Sequence, residues 1–575
     1  MTITLRATIA TLFVPVVFAS AALPLQALAA PVATSQAVKS NAAFDKWADT
    51  FAEDWVRLNP QLATSTQYFS GAEQARLDRE LTPITQAQRD KTRKLAKEGL
   101  ARLDKWMAGP LDATQRTSAA VMRWSLGNVI ANEPFEDHGF VFSQFGGVHI
   151  GLINFMNTTH PLRRASDVES YLARLEQVAP RIDEALVRAR AAAAKNLLPP
   201  RVILARAQDQ VNGFLKDAPA KNGLITSFEQ RSSTIADLTP AARADAIARA
   251  TSIVATRILP AYQRVQAFMA EIAPKTGDVV GIARLPDGAA AYARAVANFT
   301  STTLTPEQIH AIGLREVARI EGEMDRHLRA LGYADGSVEA RSAAIFNITP
   351  RAPVVVQREP ALTEAAAAAH YSLPAPDGSR PGIFWVPLRG PTFDTIRMRS
   401  LSYHEAVPGH HFQLAIQQEL TNLPKFRSQR IFSGGSAHAE GWGLYAERLA
   451  VEQGWYKDDV PGLLGALGSE LFRARRLVVD TGLHAKGWTR EQAIDYGIGA
   501  QEVERYIAWP GQANAYMIGM LRIIELREKA HTALGPKFSL PAFHDLVLQS
   551  GSVPLDVLGD IVDSYILAQA AIHTP

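Results

Sequence analysis

Apolar residues recur every three or four positions along most of this chain, and strict two-residue alternation is rare. That period predicts a mainly α-helical protein. The stripe Phe44, Trp47, Phe51, Trp55 and Leu58 opens a helical region from Asn41 to Met107, with its aromatic face turned to a core. Further helical tracts are predicted over 111–128, 166–196, 202–215 and 241–269. Thr305-Pro306-Glu307-Gln308 reads as a helix start. Thr305 caps, Pro306 takes the first helical position, and Gln308 completes a capping box. A long amphipathic helix follows through Ile309, Ile312, Val317 and Ile320 to Met324.

The pattern changes twice. From His138 to Gly151, glycines and aromatics predict a loop feeding a helix that runs through Phe155. Gln144 and His149 there read first as packing residues, with a place in a pocket as the alternative. Between Phe346 and Arg397 proline and glycine cluster, and the best strand candidates are 352–356 and 382–386. The second is expected near the main motif, offering a backbone edge to an extended substrate. With no internal repeat and no nucleotide-binding glycine loop, residues 41–575 read as one large helical domain with a central cleft and a small β element.

Composition narrows the options. Of 575 residues, 47% are hydrophobic, enough for a large core. Lys and Arg number 60 against 57 Asp and Glu, interspersed without a basic stripe, so no nucleic-acid partner is expected. Cysteine is absent, which excludes disulfides, thiolate metal sites, a cysteine nucleophile and a lipid-modified cysteine. The weakly basic start Met1–Arg6, the apolar run Ala7–Ala22 and the small residues of Ala27-Leu28-Ala29 predict a signal peptide over 1–29. Residues 30–40 then form a flexible lead-in. The expected location is periplasmic or secreted, with no stable membrane span after the signal is removed.

The chemistry concentrates in His404-Glu405-Ala-Val-Pro408-Gly409-His410-His411, followed by His438-Ala-Glu440 and Glu447. In a regular His-Glu-x-x-His helix the two imidazoles share one face. Here the residue four beyond His404 is Pro408, which binds no metal and crowds the carbonyl of His404. A bulge or break at Pro408-Gly409 would return His410 to the second-ligand position. In a straight helix His411 would lie nearest the face of His404, about 10.5 Å farther along. The preferred metal ligands are therefore His404, His410 and Glu440, with His411 and His438 as alternatives and Zn2+ as the cofactor. Glu405 is the expected general base, and Glu447 is placed to orient a histidine or bind a substrate amine.

Two later clusters add candidates. Arg476, Asp480 and His484 lie four residues apart, so Asp480 is expected to fix a histidine tautomer and His484 to donate towards substrate; a buried ion-pair network is the alternative. After the turn at Pro510-Gly511, Gln512 and Tyr516 project from a helix. Tyr516 is the first choice to stabilise an oxyanion, with Tyr506 as its alternate. Arg505 is expected to bind a substrate carboxylate or form a structural pair.

These stretches, with Leu285-Pro-Asp-Gly288, Gly378-Ser-Arg-Pro-Gly382, Glu440-Gly-Trp442, Arg476–His484 and Pro510-Gly-Gln512, resemble the bacterial DUF885 family over nearly all of the chain beyond the leader. The resemblance implies a predominantly helical, zincin-like metallopeptidase scaffold. The expected function is a zinc-dependent hydrolase acting on short peptides. The alternatives are a hydrolase of nonpeptide amides or esters, and a catalytically inactive periplasmic peptide-binding protein. Oligomeric state is left open.

Overall fold

The expected helices form because their apolar stripes find partners. The computed structural model describes residues 39–328, 348, 350–360, 364, 369–376, 380–388, 395–433, 435–457 and 459–571. The predicted signal peptide and nearly all of the lead-in lie outside them, as does part of the Gly378–Gly382 motif. Residues Ser40–Pro575 make one compact unit, mainly α-helical with a small three-stranded mixed sheet. No helix among the described residues is long and apolar enough to cross a membrane.

Helix α1 (Ala42–Arg57) carries the N-terminal aromatic stripe. Its Phe51 and Trp55 rings lie 6.0 and 5.7 Å from that of Phe432, a loop residue nearly 400 positions away in sequence. Aromatic pairs of this kind contribute about 0.5–1.5 kcal/mol each beyond the area they bury. The rest of the predicted 41–107 tract divides into three further helices, 60–66, 71–77 and 86–107. The 142–273 region forms its own helical core, which includes Leu172, Phe228 and Tyr262. His149 belongs to that region, hydrogen-bonded through Nε2 to Gln210 at 3.0 Å and away from the main cavity.

Helix α2 (Pro306–Leu328) starts at the capping box read from the sequence: the Gln308 N–H donates to Thr305 Oγ1 at 3.2 Å, and the Thr305 N–H donates to Gln308 Oε1 at 2.8 Å. It packs along α6 (Val460–Ala485), where Gly313 sits so close that a Cβ would fall 2.7 Å from Leu477 Cβ. Between them in sequence come the strands β1 (Val354–Arg358), β2 (His370–Ser372) and β3 (Gly382–Val386), then α3 (Thr395–Glu405), α4 (His410–Glu419) and α5 (Ala437–Glu452). Beyond α6 lie α7 (Ala500–Ala508) and α8 (Ala515–Leu534).

The sheet order is β1-β3-β2, with β1 parallel and β2 antiparallel to β3. This corrects two expectations. The first strand begins at Val354 rather than Ala352. More importantly, β3 is central, so its hydrogen-bonding edges are both taken; the edge on the cavity side belongs to β2, whose His370 and Tyr371 line the cavity.

Candidate metal centre

Pro408 and Gly409 end one helix and start another. Helix α3 stops at Glu405, and α4 begins at His410. Gly409 is required there, because a Cβ would lie 1.9 Å from the carbonyl oxygen of His404 and 2.3 Å from that of Tyr403. Trp442 Nε1–H, from α5, donates to the Pro408 carbonyl at 2.9 Å and holds the break in place. The motif is thus a true break, not a bulged single helix, and it turns His410 back towards His404. Their ring centroids lie 4.7 Å apart, nearly perpendicular.

Glu440, in the first turn of α5, closes the group. Its Oε2 lies 3.2 Å from His410 Nε2 and 3.7 Å from His404 Nε2. One ligand atom from each of the three residues falls within 4.8 Å of the others. Two imidazole nitrogens and a carboxylate oxygen form a donor set that zinc accepts, with room for a fourth ligand. Burial would raise the carboxyl of Glu440, yet the two facing imidazoles hold it well below the usual carboxylate range. His404 is raised for the reciprocal reason: Glu440 and Glu447 outweigh the effect of burial.

His404 is held from behind. His404 Nδ1–H donates to Glu447 Oε1 at 2.8 Å, which leaves Nε2 facing the cluster. Ser400 Oγ–H donates to the other oxygen of Glu447, and Arg473 lies 3.4 Å away. Despite burial, Arg473 and His404 bring the Glu447 carboxyl down to about 2. Of the two roles expected for Glu447, the structure therefore shows the histidine-orienting geometry. Gly443 completes the seat, since a Cβ there would approach His404 Cε1 to 2.8 Å.

Glu405 is buried beside the cluster, and its Oε2 has no hydrogen-bond partner among the described residues. Burial, reinforced by the charge of Glu440 and opposed by His410, pushes its carboxyl up to about 8. An unpaired buried carboxyl in a wall of a cavity is costly unless a ligand completes it. The cavity it borders measures about 790 Å³ and is also lined by His404, His410, Glu440 and Tyr516.

Tyr516 stacks against His404 at 6.1 Å between centroids. Its hydroxyl oxygen accepts from Arg505 Nη2 at 3.0 Å, leaving the O–H proton free to point elsewhere. The same guanidinium donates to Gln512 Oε1 at 2.7 Å, and Glu502 lies 3.5 Å from Arg505 and 3.0 Å from Arg476. Of the two roles expected for Arg505, the structure shows the paired one. Tyr516 reaches this place because α5 and α8 cross at two glycines: a Cβ on Gly441 would sit 2.4 Å from the backbone of Gly519. Those glycines follow Glu440 and Tyr516 closely in sequence, so the crossing brings both side chains to one cavity.

Four candidates lie elsewhere. His411 hydrogen-bonds through Nδ1 to the Tyr371 hydroxyl at 2.8 Å, tying α4 to the sheet rather than joining the cluster. His438 turns towards Val553, whose N–H donates to its Nδ1 at 3.2 Å. His484 does not reach the cavity: the Ile282 N–H donates to its Nδ1 and its Nε2–H donates to the Tyr506 carbonyl, both at 3.1 Å. Tyr506 accepts from Arg476 Nε at 3.0 Å and is likewise absent from the cavity wall. His484 does share helical spacing with Arg476 and Asp480, but backbone groups of distant segments satisfy it.

Asp480 is also redirected. It accepts from the Tyr292 hydroxyl at 2.6 Å, the Gly511 N–H at 3.1 Å and Asn514 Nδ2–H at 2.9 Å. Burial pushes its carboxyl up to about 7 against these three donors. It therefore fixes the Pro510-Gly511 turn that presents Gln512 and Tyr516, and orients no histidine. Asp480→Ala is expected to strand three buried donors and to destabilise the fold by about 3 kcal/mol. The check is urea unfolding, with a lower midpoint at unchanged slope.

Sequence reasoning also missed Ser400, Gly443 and Glu502, which act through other side chains and carry no motif of their own.

The model for the DUF885 family, bacterial proteins of unknown function, matches residues 60–345 and 336–562. A solved structure of a provisionally assigned lipoprotein from Colwellia psychrerythraea is similar at TM-score 0.80 and 31% identity, covering 91% of this chain and 99% of that one. A second, a provisionally assigned lipoprotein of unknown function from Shewanella oneidensis, shares the fold at TM-score 0.66 and 20% identity, covering 91% and 100%. No curated protein matches the chain.

Proposed function

This chain belongs to the DUF885 family of bacterial proteins, and for it we propose a zinc-dependent hydrolase that cleaves peptide bonds in short peptides. One observation carries the reading: the ligand atoms of His404, His410 and Glu440 converge in the same cavity that holds the unpaired carboxyl of Glu405. Bound there, zinc would supply a Lewis acid that polarises a carbonyl and acidifies water. Glu405 takes the proton of the attacking water and returns it to the departing nitrogen. The Tyr516 O–H donates to the oxyanion that develops on the carbonyl, with Arg505 fixing its direction. Glu447 holds the tautomer and orientation of His404. The cavity, enclosed between helices and the small sheet, suits a short or extended peptide better than a folded protein.

Export is part of the proposal. It rests on the leader pattern of residues 1–29 and on the lipoprotein assignments of the two similar structures.

The test combines metal analysis of the purified protein with product masses from a mixed peptide library. Stoichiometric zinc and chelator-reversible cleavage are expected. Tight peptide retention without turnover would instead indicate a binding protein. Tyr516→Phe is expected to lower kcat by about 100-fold with little change in KM, because its hydrogen bond matters chiefly in the transition state. Steady-state kinetics on one cleaved peptide measures this.

A further inference from the structure

The cavity contains a cation that the mechanism above does not use. Arg430 lines the same wall as Glu440, at the opposite end of the loop that leads into α5. Neighbouring arginines are engaged: Arg476 and Arg505 with Glu502, and Arg473 with Glu447. Arg430 has no side-chain hydrogen bond or ion pair among the described residues, and its Nε is buried without a partner. Burial lowers its affinity for a proton, and the nearby charge of Glu440 only partly offsets this. Its backbone is left-handed, at φ 56°, a conformation that side-chain-bearing residues rarely adopt.

The surrounding structure imposes this arrangement. Two residues on, Phe432 is gripped by Phe51 and Trp55 of α1. Gly435, at φ 82°, seats the loop where a Cβ would meet the Asn298 carbonyl at 2.9 Å and the Trp124 ring at 3.0 Å. The chain is thus pinned at two points just beyond a strained residue whose guanidinium has no hydrogen-bonded or ion-paired partner among the described residues. Such a guanidinium, half-sheltered in a cavity wall, is preorganised for an anion with paired oxygens.

We infer that Arg430 is a specificity-determining residue that binds a carboxylate of the substrate, either the α-carboxylate ending the peptide or an acidic side chain beside the scissile bond. The inference rests on the hydrolase reading for the bond that is cut, but its binding consequence stands separately.

The test uses three matched hexapeptides: a free acid containing one glutamate, its C-terminal amide, and the free acid with that glutamate replaced by glutamine. Calorimetric titration into zinc-loaded Glu405→Gln protein reads binding without turnover. We expect one of the two altered peptides to bind about 10- to 100-fold more weakly, which identifies the source of the carboxylate. In the Glu405→Gln, Arg430→Met double variant that difference disappears, and the folded state is checked by an unchanged circular dichroism spectrum. Arg430→Lys is expected to restore part of the preference. Equal binding of all three peptides to the Arg430-containing protein, or a preference that survives Arg430→Met, overturns the assignment. If cleavage by the unaltered protein is observed while Arg430 proves indifferent, the carboxylate anchor fails alone. If the preference depends on Arg430 but no peptide is ever cut, the hydrolase reading fails and the anchor stands.

Discussion

Glu405→Gln is expected to lower peptide hydrolysis by about 1,000-fold or more while leaving zinc bound in its normal stoichiometry. General acid–base catalysis by one positioned group is commonly worth about 100- to 10,000-fold, and Glu405 is assigned both the uptake and the return of the proton. The amide matches the carboxyl in size, so packing around this buried position is retained. It cannot exchange a proton at neutral pH. Glu405 is not among the clustered ligand atoms, so metal content separates a catalytic defect from a structural one. Retention of full kcat by the zinc-loaded variant would remove Glu405 from the mechanism.

The second large effect concerns the ligands themselves. His404→Ala and Glu440→Ala are each expected to abolish stoichiometric zinc and reduce hydrolysis to background. They also remove the stabilisation that binding confers. A metal present at about 1,000 times its dissociation constant stabilises the native state by about 4 kcal/mol. The unsubstituted protein should therefore melt at lower temperature after chelation and recover on adding zinc, whereas both variants should melt identically with and without zinc. His411→Ala is the control: its partner is Tyr371, so zinc content should hold. A chelator-insensitive melting temperature in the unsubstituted protein, with full activity, would exclude a metal centre.

The relation between chain and structure differs from one element to another. The capping box at Thr305 and the aromatic stripe of α1 were readable because both are local, satisfied within one or two turns. β2, with three residues, has too short a pattern to announce itself, and β1 is half exposed, so its start was misplaced by two residues. The choice of His410 over His411 was legible because Pro408-Gly409 rules out a straight helix, a purely local constraint.

Side-chain partnerships were another matter. Arg476, Asp480 and His484 do share helical spacing, but Asp480 is claimed by Gly511 and Asn514 and His484 by the backbone of Ile282 and Tyr506. Nothing along α6 records which distant donor arrives. Arg430 is the extreme case: that its guanidinium has no hydrogen-bonded or ion-paired partner among the described residues is visible only in three dimensions.

By itself the amino-acid order determined the mainly helical character, the capped helix start at Thr305, the absence of thiol chemistry, and the break that sends His410 back towards His404. Only the tertiary structure decided that Glu440 and Tyr516 meet at that point, through the Gly441–Gly519 crossing, and which buried polar groups are already satisfied. The physical reason is range: backbone propensity and capping act within a few residues, whereas a ligand cluster is assembled by helix crossings between segments far apart in the chain.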